Sequence, residues 1–155
     1  MGVYTNKARV LMFILLVLPI NGISEETVAE GLECLALNIY FEGRNQPWIG
    51  KVAIGQVTVN RVLSLKFPNT ICGVVHQGGA RTCQFSWWCD GKSDTPLDNK
   101  AMESARKVAI FVYSGAYPDV TEGALWYHAN YINLPFWAKK YKETVRINEH
   151  LFYTR

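Results

Sequence analysis

From Ile49 to Leu65 the chain reads IGKVAIGQVTVNRVLSL, seventeen residues without a turn signal. This run limits the fold more than any other feature. Its β-branched residues favour a strand, but strands usually end within about four to eight residues. A run of this length is therefore read as a helix buried inside a domain. The other elements must pack around it. Residues 26–41 show helical spacing, with Leu32, Leu35, Ala36, Ile39 and Tyr40 recurring on one side and Gly43 as a stop. Asn69 to Gln77 reads as a short helix capped by Asn69 or Thr70. Gly78 to Lys92 is a loop rich in Gly, Cys and Trp. Asn99 to Tyr113 is an amphipathic helix with Ala101, Ala105, Val108, Ala109 and Val112 on one face, ended by Gly115. Two later stretches, ALWYHA (Ala124 to Ala129) and VRINEHLFY (Val145 to Tyr153), alternate in part and are expected to pair as a small sheet. The sum is a mainly helical α+β fold, with residues 25–155 as a single domain.

The first 24 residues stand apart. Lys7 and Arg9 precede Val10 to Ile20, eleven residues without a charge. A bilayer span needs about 20. The pattern predicts a signal peptide over residues 1–24, with an uncleaved membrane anchor as the alternative. Contact with a membrane is expected only through this segment. Its removal leaves 14 basic residues against 13 acidic ones, a balance that gives no footing for nucleic acid. Hydrophobic residues at 49% exclude a disordered chain.

Four cysteines, Cys34, Cys72, Cys83 and Cys89, suit an exported protein in an oxidising compartment. Three pairings are possible and sequence does not choose among them. The reading leans to Cys72–Cys83 with Cys34–Cys89, because each closes a loop around the same central region. The chain has no C-x-x-C and no H-x-x-x-H, so neither a metal site nor a cofactor is expected.

Glu42 is the residue that asks for a role. It follows Leu35 by seven positions and Ile39 by three, which sets it on the apolar side of the first helix. Burial there disfavours the charged carboxylate, and the helix C-terminus pushes the same way. A carboxylic acid kept protonated near neutral pH is what a glycosidase uses to protonate a leaving oxygen. The competing reading pairs Glu42 with Arg44 at the helix end, as a structural carboxylate. Spacing alone leaves both open. The five Trp and eight Tyr are either core or the lining of a groove that stacks on sugar rings.

Six blocks in order carry a resemblance: ALNIYFEGRNQP, GKVAIGQVTVNRV, FPNTICGVVHQ, QFSWWCDG, GALWYHANY and INEHLFY. They resemble the catalytic domain of the spore cortex-lytic cell wall hydrolases (SleB/CwlJ type) over roughly residues 33–153. The resemblance implies a fold similar to lysozyme and the lytic transglycosylases. It also implies an activity: cleavage of peptidoglycan between N-acetylmuramic acid and N-acetylglucosamine, giving 1,6-anhydro ends. Glu42 matches the family's catalytic acid. The implied partner is the peptidoglycan glycan strand and the implied setting is the periplasm or cell envelope, with the protein a monomer. The alternatives are a hydrolytic muramidase, as in phage endolysins, and a non-catalytic peptidoglycan-binding protein.

Further roles follow from the same resemblance. Gln84 and Ser86 are expected to hydrogen-bond sugar hydroxyls or N-acetyl groups, and Trp87 or Trp88 to stack on a ring. Tyr127, His128 and Asn130 are expected to face the groove, with Trp137 as a wall. Asp90, Glu122, Glu143 and Glu149 are read as solvated surface acids. The chain also departs from the family pattern. Gln46 stands where a second glutamate is usual, Gly43-Arg44-Asn45 replaces Ala-Arg-Gly, and the glycine before His150 is replaced in Asn148-Glu149-His150.

Overall fold

The computed structural model describes residues 25–79 and 82–155. The expected leader, residues 1–24, lies outside the described residues. Helix α1 (Val28–Gly43) begins at Thr27 with a reciprocal cap. The Glu30 backbone N–H donates to Thr27 Oγ1 at 3.2 Å, and the Thr27 N–H donates to Glu30 Oε2 at 2.9 Å. Its inner face buries Leu35, Ala36, Ile39 and Tyr40.

Helix α2 (Trp48–Val62) is the long apolar run and is buried almost continuously from Gly50 to Thr58. Val52 joins the helical core, while Ala53 and Val57 meet Ala124 and Phe152 of the sheet side. Packing on two sides explains why β-branched residues tolerate a helix here: burial outweighs a weak local preference. Helix α3 (Ile71–Val75) is capped by Thr70, whose Oγ1 accepts from the Gly73 N–H. Glu26 also accepts from the N–H groups of Ile71 and Cys72, at 3.0 and 2.6 Å, and so ties the start of the domain to α3. Helix α4 (Asn99–Tyr113) starts at Asp98, packs Met102, Ala105, Val108 and Ala109 into the same core, and is followed by Gly115 at φ +66°.

The loop after α3 holds a minimal hairpin, β1 (Gly78–Gly79) with β2 (Thr82–Cys83), and a 3-10 turn at Ser86–Cys89. The C-terminal part forms an antiparallel sheet in the order β3 (Trp126–Ala129), β5 (His150–Thr154), β4 (Lys142–Ile147). The expected sheet is present, but Val145 to Tyr153 is not one strand. It turns back at Asn148-Glu149, where Asn148 takes φ +51°, and Ile147 pairs with His150. Asparagine tolerates this left-handed conformation, so a turn sits inside what looks like an alternating run.

The disulfides differ from the expected pairing. They are Cys34–Cys72 and Cys83–Cys89. The reason is packing. Helix α3 lies against α1, which sets Cys72 beside Cys34, with Cys72 Sγ 3.5 Å from the Glu30 carbonyl oxygen one turn earlier. Cys83 and Cys89 flank the 3-10 turn and close it locally. Among the described residues no helix is long and apolar enough to cross a membrane.

Candidate active site

Glu42 occupies the last turn of α1 and is partly buried. The Tyr127 hydroxyl donates to its Oε2 at 3.0 Å. Tyr127 is brought there by α2. Arg61 Nε donates to the Leu125 carbonyl oxygen at 2.8 Å, and Asn60 donates to that of Ala124 at 3.2 Å. These bonds fix the entry to β3, and strand alternation then aims Tyr127 at the helices. Burial raises the Glu42 carboxyl above its ordinary value of 4.5, against the opposing pull of the Tyr127 hydrogen bond and the Arg61 charge. Burial likewise pushes Tyr127 well above its ordinary range, helped by the Glu42 charge. Arg44 does not pair with Glu42: its Nη1 donates to Tyr40 Oη at 3.3 Å. The structural-carboxylate reading therefore loses its partner.

An open cleft of about 480 Å³ lies over Glu42. Phe41 and Trp87 wall it on one side, with Asp90 and Asp94 at the rim. Gln46, Tyr131, Glu149 and His150 close the other side. Trp87 stacks on Phe41 with centroids 4.6 Å apart, and its Nε1 donates to Asn38 Oδ1 at 3.0 Å. Asn38, fully buried, donates in turn to Thr58 Oγ1 at 3.1 Å. A buried amide with all these groups satisfied fixes the aromatic wall to α1 and α2. Opposite, His150 meets the Tyr127 ring edge-on at 5.4 Å, and burial lowers its basicity.

The other residues singled out in sequence divide between places. Trp87 lines the cleft and Tyr127 touches its acid. Ser86 is exposed at the start of the 3-10 turn. Gln84 and Trp137 line a separate groove of about 320 Å³, with Cys83, Trp126 and Tyr141. His128 does not face the Glu42 cleft, contrary to expectation. It follows Tyr127 directly in β3 and so points to the opposite face of the sheet, where Nε2 lies 3.0 Å from Tyr153 Oη and the ring packs against Trp137. Asn130 is exposed, and its backbone N–H donates to the Glu149 carbonyl oxygen at 2.7 Å.

The structure adds Asn38, Arg61, Gln46 and Glu149 to the neighbourhood. Asn38 had a signal in sequence, as a polar residue four before Glu42 on the same apolar stripe. Glu149 was read as a surface acid; it is exposed, but into the cleft. No group of three or more His, Cys, Asp or Glu side chains that could hold a metal ion occurs among the described residues.

The fold thus sets a desolvated carboxyl in an open, aromatic-walled cleft, on a helical scaffold completed by a small sheet. The chain belongs to the Cell Wall Hydrolase family, whose model matches residues 45–153. That span begins just after Glu42. Among its relatives, a spore cortex-lytic enzyme of Bacillus cereus is 29% identical over 132 residues, covering 85% of this chain and 46% of the relative. A spore cortex-lytic enzyme of Bacillus subtilis is 30% identical over 121 residues, 78% of this chain and 36% of the relative. The chain thus spans less than half the length of these curated relatives. The crystal structure of the catalytic domain of the Bacillus cereus SleB protein superimposes with a TM-score of 0.67 at 27% identity, covering 84% of this chain and 94% of that one. The catalytic domain of the germination-specific lytic transglycosylase SleB from Bacillus anthracis gives 0.63 at 29%, covering 80% and 93%.

Proposed function

We propose that this protein cleaves the glycan strand of peptidoglycan at the bond between N-acetylmuramic acid and N-acetylglucosamine, with Glu42 as general acid. The observation that carries this reading is the Glu42 carboxyl itself, which lines an open cleft of about 480 Å³ and whose burial favours its protonated form. The acid protonates the bridging oxygen, the C1–O bond breaks, and positive charge develops at C1. Tyr127 and Arg61 then stabilise the carboxylate that remains, one by hydrogen bond and one by charge. The muramic 6-hydroxyl closes on C1 and returns its proton to Glu42, which leaves a 1,6-anhydro end. Phe41 and Trp87, stacked on each other, form the aromatic wall along which a saccharide lies. The relatives' names support the substrate class, and the likeness to a lytic transglycosylase domain supports the anhydro outcome. Two disulfides support export to an oxidising compartment.

Hydrolysis is the second reading, and Glu149 in the same cleft favours it, since a second carboxylate is the usual means of activating water. Mass analysis of fragments released from purified sacculi separates the two. The expected products are one water lighter than muramidase fragments and absent with Glu42→Gln. Reducing-end products would move the assignment to a muramidase. Retention on sacculi without release by the unaltered protein would leave only a binding role.

A further inference from the structure

Two residues far apart in the chain touch each other in the cleft. Gln46 Nε2 donates to Glu149 Oε2 at 2.9 Å, although the residues lie 103 apart in sequence. Gln46 sits just past α1, with its N–H bonded to the Gly43 carbonyl oxygen at 2.9 Å. Glu149 sits at the β4–β5 turn, set there by Asn148 at φ +51°. Both side chains line the cleft over Glu42. The contact leaves polar atoms with work to do. Gln46 Oε1 and His150 Nδ1 are buried with no hydrogen-bond partner among the described residues, and His150 lines the same wall. A buried polar atom without a partner is costly, so such atoms gathered at a cleft wall point to a ligand that satisfies them.

We infer that Gln46, Glu149 and His150 form a saccharide-positioning site, in which the Glu149 carboxylate, held by Gln46, accepts hydrogen bonds from the hydroxyl or acetamido N–H groups of an N-acetylated sugar. The ligand class follows from the atoms. The two acceptor oxygens and one imidazole nitrogen suit a neutral molecule rich in O–H and N–H donors. The amide and carboxylate form one hydrogen-bonded unit. Glu149 is thus a positioning residue. This inference rests on the peptidoglycan reading for the identity of the sugar.

The test exchanges the partners. Glu149→Gln, Gln46→Glu and the double variant Q46E/E149Q are compared for release of fragments from sacculi. Each is also combined with Glu42→Gln and measured for binding to sacculi without cleavage. Glu149→Gln is expected to weaken binding about tenfold, the scale of one hydrogen bond to a charged group. Gln46→Glu sets two carboxylates against each other and is expected to weaken it similarly. The double variant restores a carboxylate–amide pair and recovers most of the loss. Melting temperatures of the single variants stay within a degree or so of the parent, because the hydrogen bond between Gln46 Nε2 and the exposed Glu149 lies at the surface. Single variants that bind and turn over within about twofold of the parent would overturn the inference, as would a double variant no better than either single. Failure of the unaltered protein to release fragments would overturn the peptidoglycan-cleaving reading, and the binding comparison would still decide the role of Glu149.

Discussion

Glu42 is a destabilising residue by its own chemistry. Its folded-state carboxyl holds its proton above the ordinary value of 4.5, so the folded chain binds more protons than the unfolded one over the interval between the two values. Stability therefore falls as pH rises through that interval. Glu42→Gln removes the penalty. Thermal melts across pH are expected to show the variant equal to the parent below the ordinary glutamate range and more stable at neutral pH, while activity falls by at least about a hundredfold. A variant less stable at neutral pH would contradict the desolvated acid. Tyr127→Phe tests the other side of the balance. The hydroxyl favours the charged carboxylate, so its loss raises the Glu42 pKa further and shifts the basic limb of the pH–activity profile upward. A downward shift would mean that Tyr127 holds the protonated form instead.

At the level of elements, the amide of Asn38 joins α1, α2 and the Trp87 turn. Asn38→Ala strands the indole N–H and opens a small void, at a cost of about 2–4 kcal/mol in denaturant unfolding. A change under about 0.5 kcal/mol would show that the turn is held by the Cys83–Cys89 bridge alone. Helices were the legible elements. The α2 run, the α4 face and the Thr70 cap all carry their evidence within a few neighbouring residues. Of the candidate site, the burial of Glu42 was legible because it lies on a helix, and the partners that depend on a strand were not. Tyr127 and His128 are adjacent and of similar character, and only the register of β3 against β5 decides which one meets the acid. The same holds for His150, whose side is set by a turn at Asn148 that the alternating pattern conceals. The disulfides were illegible for a related reason, since Cys72 meets Cys34 through the packing of α3 on α1 rather than through loop length.

Over the whole molecule, the Cys34–Cys72 bridge closes a segment of 38 residues that contains all of α2. In the chain-entropy account a loop of this size contributes about 3–4 kcal/mol. The double variant C34S/C72S is expected to lose about that much in unfolding free energy under non-reducing conditions, and reductant should bring the unaltered protein to a similarly low midpoint. Thiol titration of the folded protein should find none free among the four, and four reactive thiols would overturn both the bridges and the case for export.

The acid and the hydroxyl that steadies it lie 85 residues apart along the chain. Synthesis is directional, so a growing polypeptide displays Glu42 long before Tyr127 exists. His150 comes later still, on the strand that gives β3 its partner. An unfinished copy therefore carries the reactive group without the surroundings that tune it. For a protein whose proposed target is the wall of a cell, a copy cut short before Tyr127 is expected to lack the hydroxyl on Glu42 together with the β3–β5 side of the cleft.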